Sequence, residues 1–309
     1  MLYLSTRNKT DSFTAFRAMH NDHTPDGGLY VPFRLTAFSS EELVQIKSMT
    51  FGDAVAKILN LLFSQQLTGW DIDFCIGRAP VKVEQIGHKA IVAEMWHNHD
   101  GAYKTTREIV FHRIFGTPQA PSEWACIAID IAFLFGIYTQ LPDADVFDVS
   151  LCEDEVSAIT AAWYAKNMGL PVGRILLTCG EMSPVWNFVL NGQLNTTALK
   201  RLGDNFVGMA ERMIYDTYQF DTAQDFVAAC VENASYNIDE ENRSMLTDRL
   251  HAVVVGADRA ENVVQSTVRT NGYTLSTDAA GAFGGLQDYR SKGGESRLTL
   301  LLSCVKPTN

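Results

Sequence analysis

An apolar run predicts a strand over residues 90–95, and two histidines, His97 and His99, follow it closely with one residue between them. Alternate side chains of a strand point to the same side, so the two imidazole rings could share one divalent metal ion. A catalytic zinc ion takes three ligands from protein, and only His112 and His251 follow as further histidines. A metal-dependent hydrolase on this pair is therefore one interpretation, whereas a chain that holds no metal is what we expect.

Three consecutive acids, Glu153, Asp154 and Glu155, lie between a predicted strand at 146–149 and a predicted helix at 155–168. Carboxylates at the start of a helix complement its dipole, which gives these acids an ordinary structural role. The same acids would repel an anion by about 1–4 kcal/mol each at 4 Å, across effective dielectric constants of 80 to 20. Both interpretations remain open from the sequence.

The glycine-rich segment at 281–285 (GAFGG) could supply backbone N–H groups to a phosphate. A P-loop needs a strand before the glycines and a lysine followed by serine or threonine after them. This segment has neither, and we interpret it as a turn.

Apolar periodicity predicts the elements that would position these residues. Strands are predicted over 90–95, 146–149, 174–178 and 251–255, and helices over 104–115, 124–139, 155–168 and 206–218. Strands that alternate with helices favour a doubly wound α/β sheet with parallel strands.

A smaller α+β unit is predicted before this alternation. Ser12 would cap a helix over 13–19, and a second helix is predicted over 51–63. We place the domain boundary near residue 79, with an N-terminal domain at 1–78 and an α/β domain at 79–309.

Composition narrows the classes of partner. The chain of 309 residues is 46% hydrophobic, and 36 acids against 25 bases give it a net charge of −11. Without a basic stripe, this balance argues against nucleic acid and anionic membranes as partners. The longest apolar run, 125–138, contains Asp130 and is too short to span a bilayer. Six scattered cysteines without a C-x-x-C pair predict a reduced, cytoplasmic protein.

Five segments in order along the chain resemble one enzyme family. They are residues 3–7 (YLSTR), 25–32 (PDGGLYVP), 165–172 (AKNMGLPV), 210–216 (AERMIYD) and 271–273 (NGY). The series is similar to the threonine synthase family, pyridoxal-phosphate (PLP) enzymes of fold type II. Each segment is weak alone, but the shared order over nearly the whole chain makes the resemblance specific.

The resemblance implies positions for the cofactor. Residues 93–105 (AEMWHNHDGAYKT) align without a gap to the family's E-L-x-H-G-P-T-x-A-F-K-D, which puts Lys104 at the Schiff-base position. Its neighbour is Thr105 where the family has aspartate. The family's S-T-A-H-P, whose hydroxyl meets the pyridine nitrogen, corresponds to residues 303–307 and puts Cys304 there. A thiol is a weaker hydrogen-bonding partner. Lys104 could equally be an ordinary lysine at the start of a helix.

The phosphate-binding segments of the family are not matched. The loop that follows the lysine in the family belongs to a small mobile domain, for which this chain has too few residues before Cys152. The family's second loop, G-N-F-G, corresponds to the acidic residues 150–155. Under this resemblance the positions for chemistry have diverged, while the positions for packing remain.

We therefore expect an α/β protein with a threonine-synthase-like N-terminal α+β domain and a fold-type II PLP-type domain that lacks the small mobile domain. The expected function is that of a pseudoenzyme without threonine synthase activity, acting as a binding or assembly subunit. A protein partner or a homodimer, and a small amino-acid-like ligand, are its expected partners, with no cofactor. The alternatives are a residual PLP-dependent lyase that acts on a (phospho)amino acid through Lys104, and the metal hydrolase on His97 and His99.

Overall fold

The computed structural model describes residues 1–77, 81–96, 103–181, 183–195, 203–218, 220–233 and 235–307. The strands are β1 (Leu2–Ser5), β2 (Asn8–Thr14), β3 (Tyr30–Pro32), β4 (Lys82–Gly87), β5 (Ala90–Glu94), β6 (Phe147–Cys152), β7 (Val172–Cys179), β8 (Gln193–Asn195), β9 (Ser235–Asn237), β10 (Leu250–Val254) and β11 (Leu298–Ser303). The helices are α1 (Ala15–His20), α2 (Ser40–Lys47), α3 (Phe51–Phe63), α4 (Gly69–Ile76), α5 (Tyr103–Phe115), α6 (Glu123–Tyr138), α7 (Val156–Asn167), α8 (Pro184–Asn191), α9 (Gly203–Tyr218), α10 (Phe220–Asn233), α11 (Glu240–Thr247), α12 (Ala257–Asn271) and α13 (Thr277–Ser291).

The N-terminal residues form a three-stranded antiparallel sheet in the order β2-β1-β3. β2 continues to Thr14, whose hydroxyl caps α1 by accepting a hydrogen bond from the Arg17 N–H. The predicted cap at Ser12 is wrong, because Ser12 and Phe13 pair with β1 instead. Pairing along the strand overrides the local capping signal.

A six-stranded sheet in the order β10-β7-β6-β11-β5-β4 forms the centre of the fold. Its first five strands are parallel, and β4 is antiparallel to β5 at one edge. The sheet is therefore mixed, and the predicted α/β class is confirmed. The other sheets of the described residues have three strands and two strands, and the loss of the small mobile domain stays a prediction.

Side chains alternate between two hydrophobic cores on the two faces of this sheet. On β5, for example, Ala90 and Val92 face one core, and Ile91 and Ala93 face the other. α12 and α13 cover the smaller core, whereas α3, α6, α7 and α8 contribute to the larger one. Helices on both faces define a doubly wound arrangement, as the sequence predicted.

The glycine-rich segment 281–285 lies inside α13, so its interpretation as a turn is wrong. The glycines let this helix approach the sheet closely, since a Cβ at Gly285 would lie 2.5 Å from the Thr178 hydroxyl oxygen. The Ser150 hydroxyl also donates to the Ala282 carbonyl at 2.9 Å. The signal that suggested a phosphate loop is a packing requirement.

Most other predicted elements of the α/β part are confirmed to within a few residues at their ends. β4, β11 and α12 were not predicted. The domain boundary near residue 79 stays a prediction, because residues 78–80 lie outside the described ranges and one core contains side chains from both sides of them. Within the described ranges, no helix is both long and apolar enough to cross a membrane.

A substitution tests the close contact of α3 with α6. A Cβ at Gly136 would lie 2.7 Å from the Phe51 ring and 2.8 Å from Val55. Gly136→Ala should therefore lower the free energy of unfolding by about 1–3 kcal/mol, although alanine is the better helix former. In the control Gly208→Ala, the nearest contact is an ordinary 3.4 Å to Leu29, and stability should stay constant or rise by up to about 1 kcal/mol. Urea denaturation measures both, and equal effects would contradict the packing argument.

Candidate functional site

The carboxyl ends of the five parallel strands lie along one edge of the sheet, which we call the carboxyl edge. Four helices of the described residues begin there, namely α7, α8, α12 and α13, and the α13 cap Ser276 bonds Ser303 at the end of β11 at 2.9 Å. The first N–H groups of a helix have no partner within it and favour negative charge. In an open α/β sheet, this edge is where ligands bind.

A cavity of about 400 Å³ opens at the carboxyl edge, and we call it the acidic cavity. It is lined by Cys152, Glu153, Asp154, Thr178, Cys179, Gly180, Val255, Gly256, Ala260, Thr277, Asp278 and Gly281. Three of these side chains are carboxylic acids, and no lysine or arginine is among the described residues that line the cavity. The balance of charge in the acidic cavity is therefore negative.

Glu153 takes up the donors that an anion would otherwise use. Its side chain is 2% exposed, and it accepts a hydrogen bond from the Gly180 N–H at 3.2 Å and another from the Ser183 hydroxyl. The Ser183 oxygen in turn accepts the N–H groups of Val185 and Trp186 in the first turn of α8. The N-terminus of α8 is thus matched by a carboxylate of the chain itself.

Glu155 and Cys304 lie near each other beside the acidic cavity, with Cys304 buried and Glu155 half-buried. Burial raises the pKa of Glu155, an effect that Arg107 opposes, and burial raises the pKa of Cys304 well above its ordinary value. Glu155 is the N-cap residue of α7, but its side chain makes no capping hydrogen bond. The acids at 153–155 therefore precede the helix rather than form its first turn.

An ion pair behind this site fixes α5 against α6. Arg107 donates two hydrogen bonds of 2.7 Å to the two oxygens of Asp130, and Ser157 donates a third at 2.7 Å. The Asp130 side chain is 2% exposed and that of Arg107 is 12% exposed. The acid that interrupts the apolar run of α6 is thus a buried ion-pair partner, and such an interruption is a sequence signal for one.

The predicted site residues are described to different extents. Cys304 lies at the carboxyl edge, 5% exposed, directly after β11. Lys104 lies in the first turn of α5, and its side chain is outside the described part of the chain. His97 and His99 are also outside the described residues. Cys304 is therefore the one predicted site residue whose surroundings are known.

Two further contacts at the carboxyl edge were not found from the sequence. The Tyr273 hydroxyl bonds the buried Glu94 carboxylate at the end of β5. The Trp96 indole N–H donates to the Ser303 hydroxyl at 3.2 Å, and Ser303 also bonds Ser276. The Tyr273–Glu94 contact spans 179 positions of the chain, the Trp96–Ser303 contact spans 207, and the Ser276–Ser303 contact spans 27. No local sequence pattern therefore reveals them.

These residues do not fit the phosphate group of PLP at the acidic cavity. A phosphate needs backbone N–H groups or cations, and the Gly180 N–H and Ser183 hydroxyl are already bonded to Glu153. At the pyridine position implied by the resemblance, the buried Cys304 thiol lies near the Glu155 carboxylate. The donors at the start of α8 are thus occupied, whereas the Thr178 hydroxyl and one oxygen of Asp278 at the same cavity have no hydrogen-bond partner among the described residues.

Comparisons with known proteins agree with the resemblance. Residues 2–79 match the family model described as threonine synthase N terminus. The fold is similar to PLP-bound threonine synthase from Brucella melitensis, with a TM-score of 0.86, 14% identity and coverage of 99% of this chain and 89% of that chain. Yeast threonine synthase matches with a TM-score of 0.83 and 13% identity, over 99% of this chain and 87% of that chain. The Escherichia coli enzyme matches with a TM-score of 0.72 and 15% identity, over 99% of this chain and 89% of that chain. At 309 residues, this chain is shorter than those it matches. No curated protein matches it.

The pKa of Glu155 leads to a prediction about pH. Since burial raises this pKa in the folded protein, ionisation is easier in the unfolded chain, and stability is lost as the pH rises from the ordinary value of 4.5 through the folded value. Glu155→Gln should thus raise the free energy of unfolding at neutral pH, with a gain that shrinks as the pH falls below 4.5. Asp154→Asn, at an exposed acid, is the control. Denaturation across a pH series measures the difference in the free energy of unfolding between the variant and the unsubstituted chain. A gain in stability that does not change with pH would contradict the prediction.

Metal content is a separate expectation. Within the described residues, no group of three or more His, Cys, Asp or Glu side chains is arranged to hold a metal ion. Protein purified without chelator should contain no stoichiometric zinc or manganese, as measured by elemental analysis. About one metal ion per chain that is lost in His97→Ala would instead support the hydrolase on His97 and His99.

Proposed function

We propose that this threonine-synthase-like protein makes no threonine and acts as a binding or assembly subunit. The observation that carries the proposal is the buried Glu153 carboxylate, which occupies the Gly180 N–H and the Ser183 hydroxyl at the N-terminus of α8. An enzyme that uses PLP and a phosphorylated substrate needs positions for two phosphates in one cleft. Here a donor set suited to an anion is already filled by the protein.

Electrostatics supports the same proposal. A phosphate placed in the acidic cavity would lie near Glu153, Asp154 and Asp278. Like charges about 4 Å apart repel by roughly 1–4 kcal/mol each across effective dielectric constants of 80 to 20. The same charges favour an ammonium group, which is compatible with a small amino-acid-like ligand.

The pyridine position of the resemblance also favours loss of activity. Cys304 is buried, its raised pKa keeps the thiol protonated at neutral pH, and the Glu155 carboxylate lies nearby. Removal of a single preorganised donor from an active site typically costs 10²- to 10³-fold in rate. Several changes of this kind in one cleft argue against a residual lyase that depends on Lys104 alone.

Growth of a strain that lacks threonine synthase tests the proposal. Cells that express this chain should still require added threonine, because Glu153 occupies the Gly180 N–H and the Ser183 hydroxyl that a phosphate would need. The Escherichia coli threonine synthase serves as the positive control and should restore growth. Growth supported by this chain and lost in Lys104→Ala would overturn the proposal in favour of the lyase.

Absorbance provides a second test that does not depend on turnover. After incubation with PLP and removal of the excess, the protein should have no stoichiometric near-visible band. Lys104→Ala is the matched control for a covalent link to the cofactor. A band that borohydride reduction removes from the unsubstituted protein, and that Lys104→Ala lacks, would show that the cofactor site has survived.

A further inference from the structure

The outer edge of β10 is open in the described part of the chain. β10 is the terminal strand of the six-stranded sheet and pairs only with β7 there. The Arg249 carbonyl and the Val255 N–H both bond residues of the β7 segment. Because backbone groups alternate along a strand, those of Leu250, Ala252 and Val254 point to the opposite, outer side. No described residue bonds these outer groups.

A groove of about 710 Å³ runs along this edge. α8 contributes one wall through Trp186 and Leu190, and the end of α13 contributes the other through Tyr289 and Lys292. Residues of β10 itself form its floor. The groove therefore gives access to the unpaired backbone groups of the strand.

The edge has none of the features that usually prevent pairing between chains. Natural edge strands are often protected by proline, lysine, inward-pointing charge or a bulge. β10 reads Leu-His-Ala-Val-Val, and its pairing with β7 is regular over all five residues. Val254 is 36% exposed at its end. A strand of this kind is suited to receive another strand.

Charge differs between the two ends of β10. Near its start the groove is lined by Arg174, Lys292 and Asp248, and the Glu295 carboxylate there pairs with both Arg174 and Arg297. Its other end leads to the acidic cavity and to the exposed Asp258 in the first turn of α12. One end of the strand is thus predominantly cationic, and the other is acidic.

We propose that a second copy of this chain pairs with β10 in antiparallel fashion, so that the two sheets become continuous across a twofold axis at Ala252. In this register Leu250 faces Val254 of the other copy, and each facing pair exchanges both N–H···O=C bonds. The cationic start of each strand then meets the acidic end of its counterpart. A twofold axis perpendicular to the sheet also keeps equivalent faces together.

The two charged positions that meet are Lys292 and Asp258. α12 and α13 pack together on the same face of the sheet, α12 begins at the carboxyl edge, and α13 ends at the opposite edge. Antiparallel pairing brings the end of α13 towards the start of α12 in the second copy. The contact between Lys292 and Asp258 occurs twice, because the interface is symmetric.

The inference rests on the assembly role in the proposed function and names its partner. Its test measures mass rather than growth, so either proposal can fail without the other. Light scattering during size-exclusion chromatography, over a series of concentrations, should give twice the mass of one 34.3 kDa chain. A single-chain mass throughout the series would overturn the inference.

Charge reversal tests the arrangement. Lys292→Glu and Asp258→Lys should each weaken the homodimer about tenfold, since each creates two like-charge contacts. An equimolar mixture of the two variants should recover the dimer, because both contacts then join opposite charges. As a control, Arg34→Glu makes the same change from positive to negative charge as Lys292→Glu, but at an exposed site of the N-terminal unit. It should leave the stability of the dimer unchanged. Variants that dimerise as well as the unsubstituted chain, or a mixture that does not recover, would contradict the inference.

A backbone substitution supplies an independent test. Val254→Pro removes an N–H that points away from β7, so the pairing within the chain is retained while a bond to the second copy is lost. We expect a folded monomer, with folding checked by circular dichroism. A folded variant that remains dimeric would overturn the proposed pairing.

Discussion

The N-termini of α7, α8, α12 and α13 meet at one edge of the sheet, and their unpaired N–H groups need hydrogen-bond acceptors and favour negative charge. This requirement comes from the fold itself, since each crossover from a parallel strand begins a helix at the same edge. A protein can meet it with a bound anion or with its own carboxylates. This chain uses its own, most directly through Glu153 at the start of α8. The negative charge of the acidic cavity follows from that choice.

Several residues that carry the resemblance to threonine synthases stabilise this fold. Thr6 and Arg7 both contact Glu211, and the fully buried Arg212 forms an ion pair with Glu123 at 2.9 Å. These contacts tie the N-terminal sheet to α9 and to the start of α6. A buried charge that loses its partner is strongly destabilising, so such pairs are constrained by stability and not only by chemistry. The family pattern here identifies the architecture and leaves activity to be decided by experiment.

Helices and strands with a strong local signal could be predicted from the sequence. The helix at 51–63 was predicted with its exact bounds, because an apolar stripe follows directly after the capping residue Thr50. The segment 281–285 was misread, since the closeness of a helix to a sheet is invisible in a run of glycines. β4 was missed at the sheet edge, where it is only half buried and has little apolar signal. The contact between Glu153 and Ser183 spans 30 positions, and only the assembled fold brings the two residues together.

The place of β11 in the sheet has a consequence for how this protein is made. β11 lies between β5 and β6, although about two hundred residues separate it from β5 along the chain. During synthesis, the earlier strands therefore leave the ribosome with the central position of their sheet still empty. Exposed strand edges in such intermediates are prone to aggregation. A premature stop codon shortly before β11 would therefore remove the centre of the sheet rather than its margin.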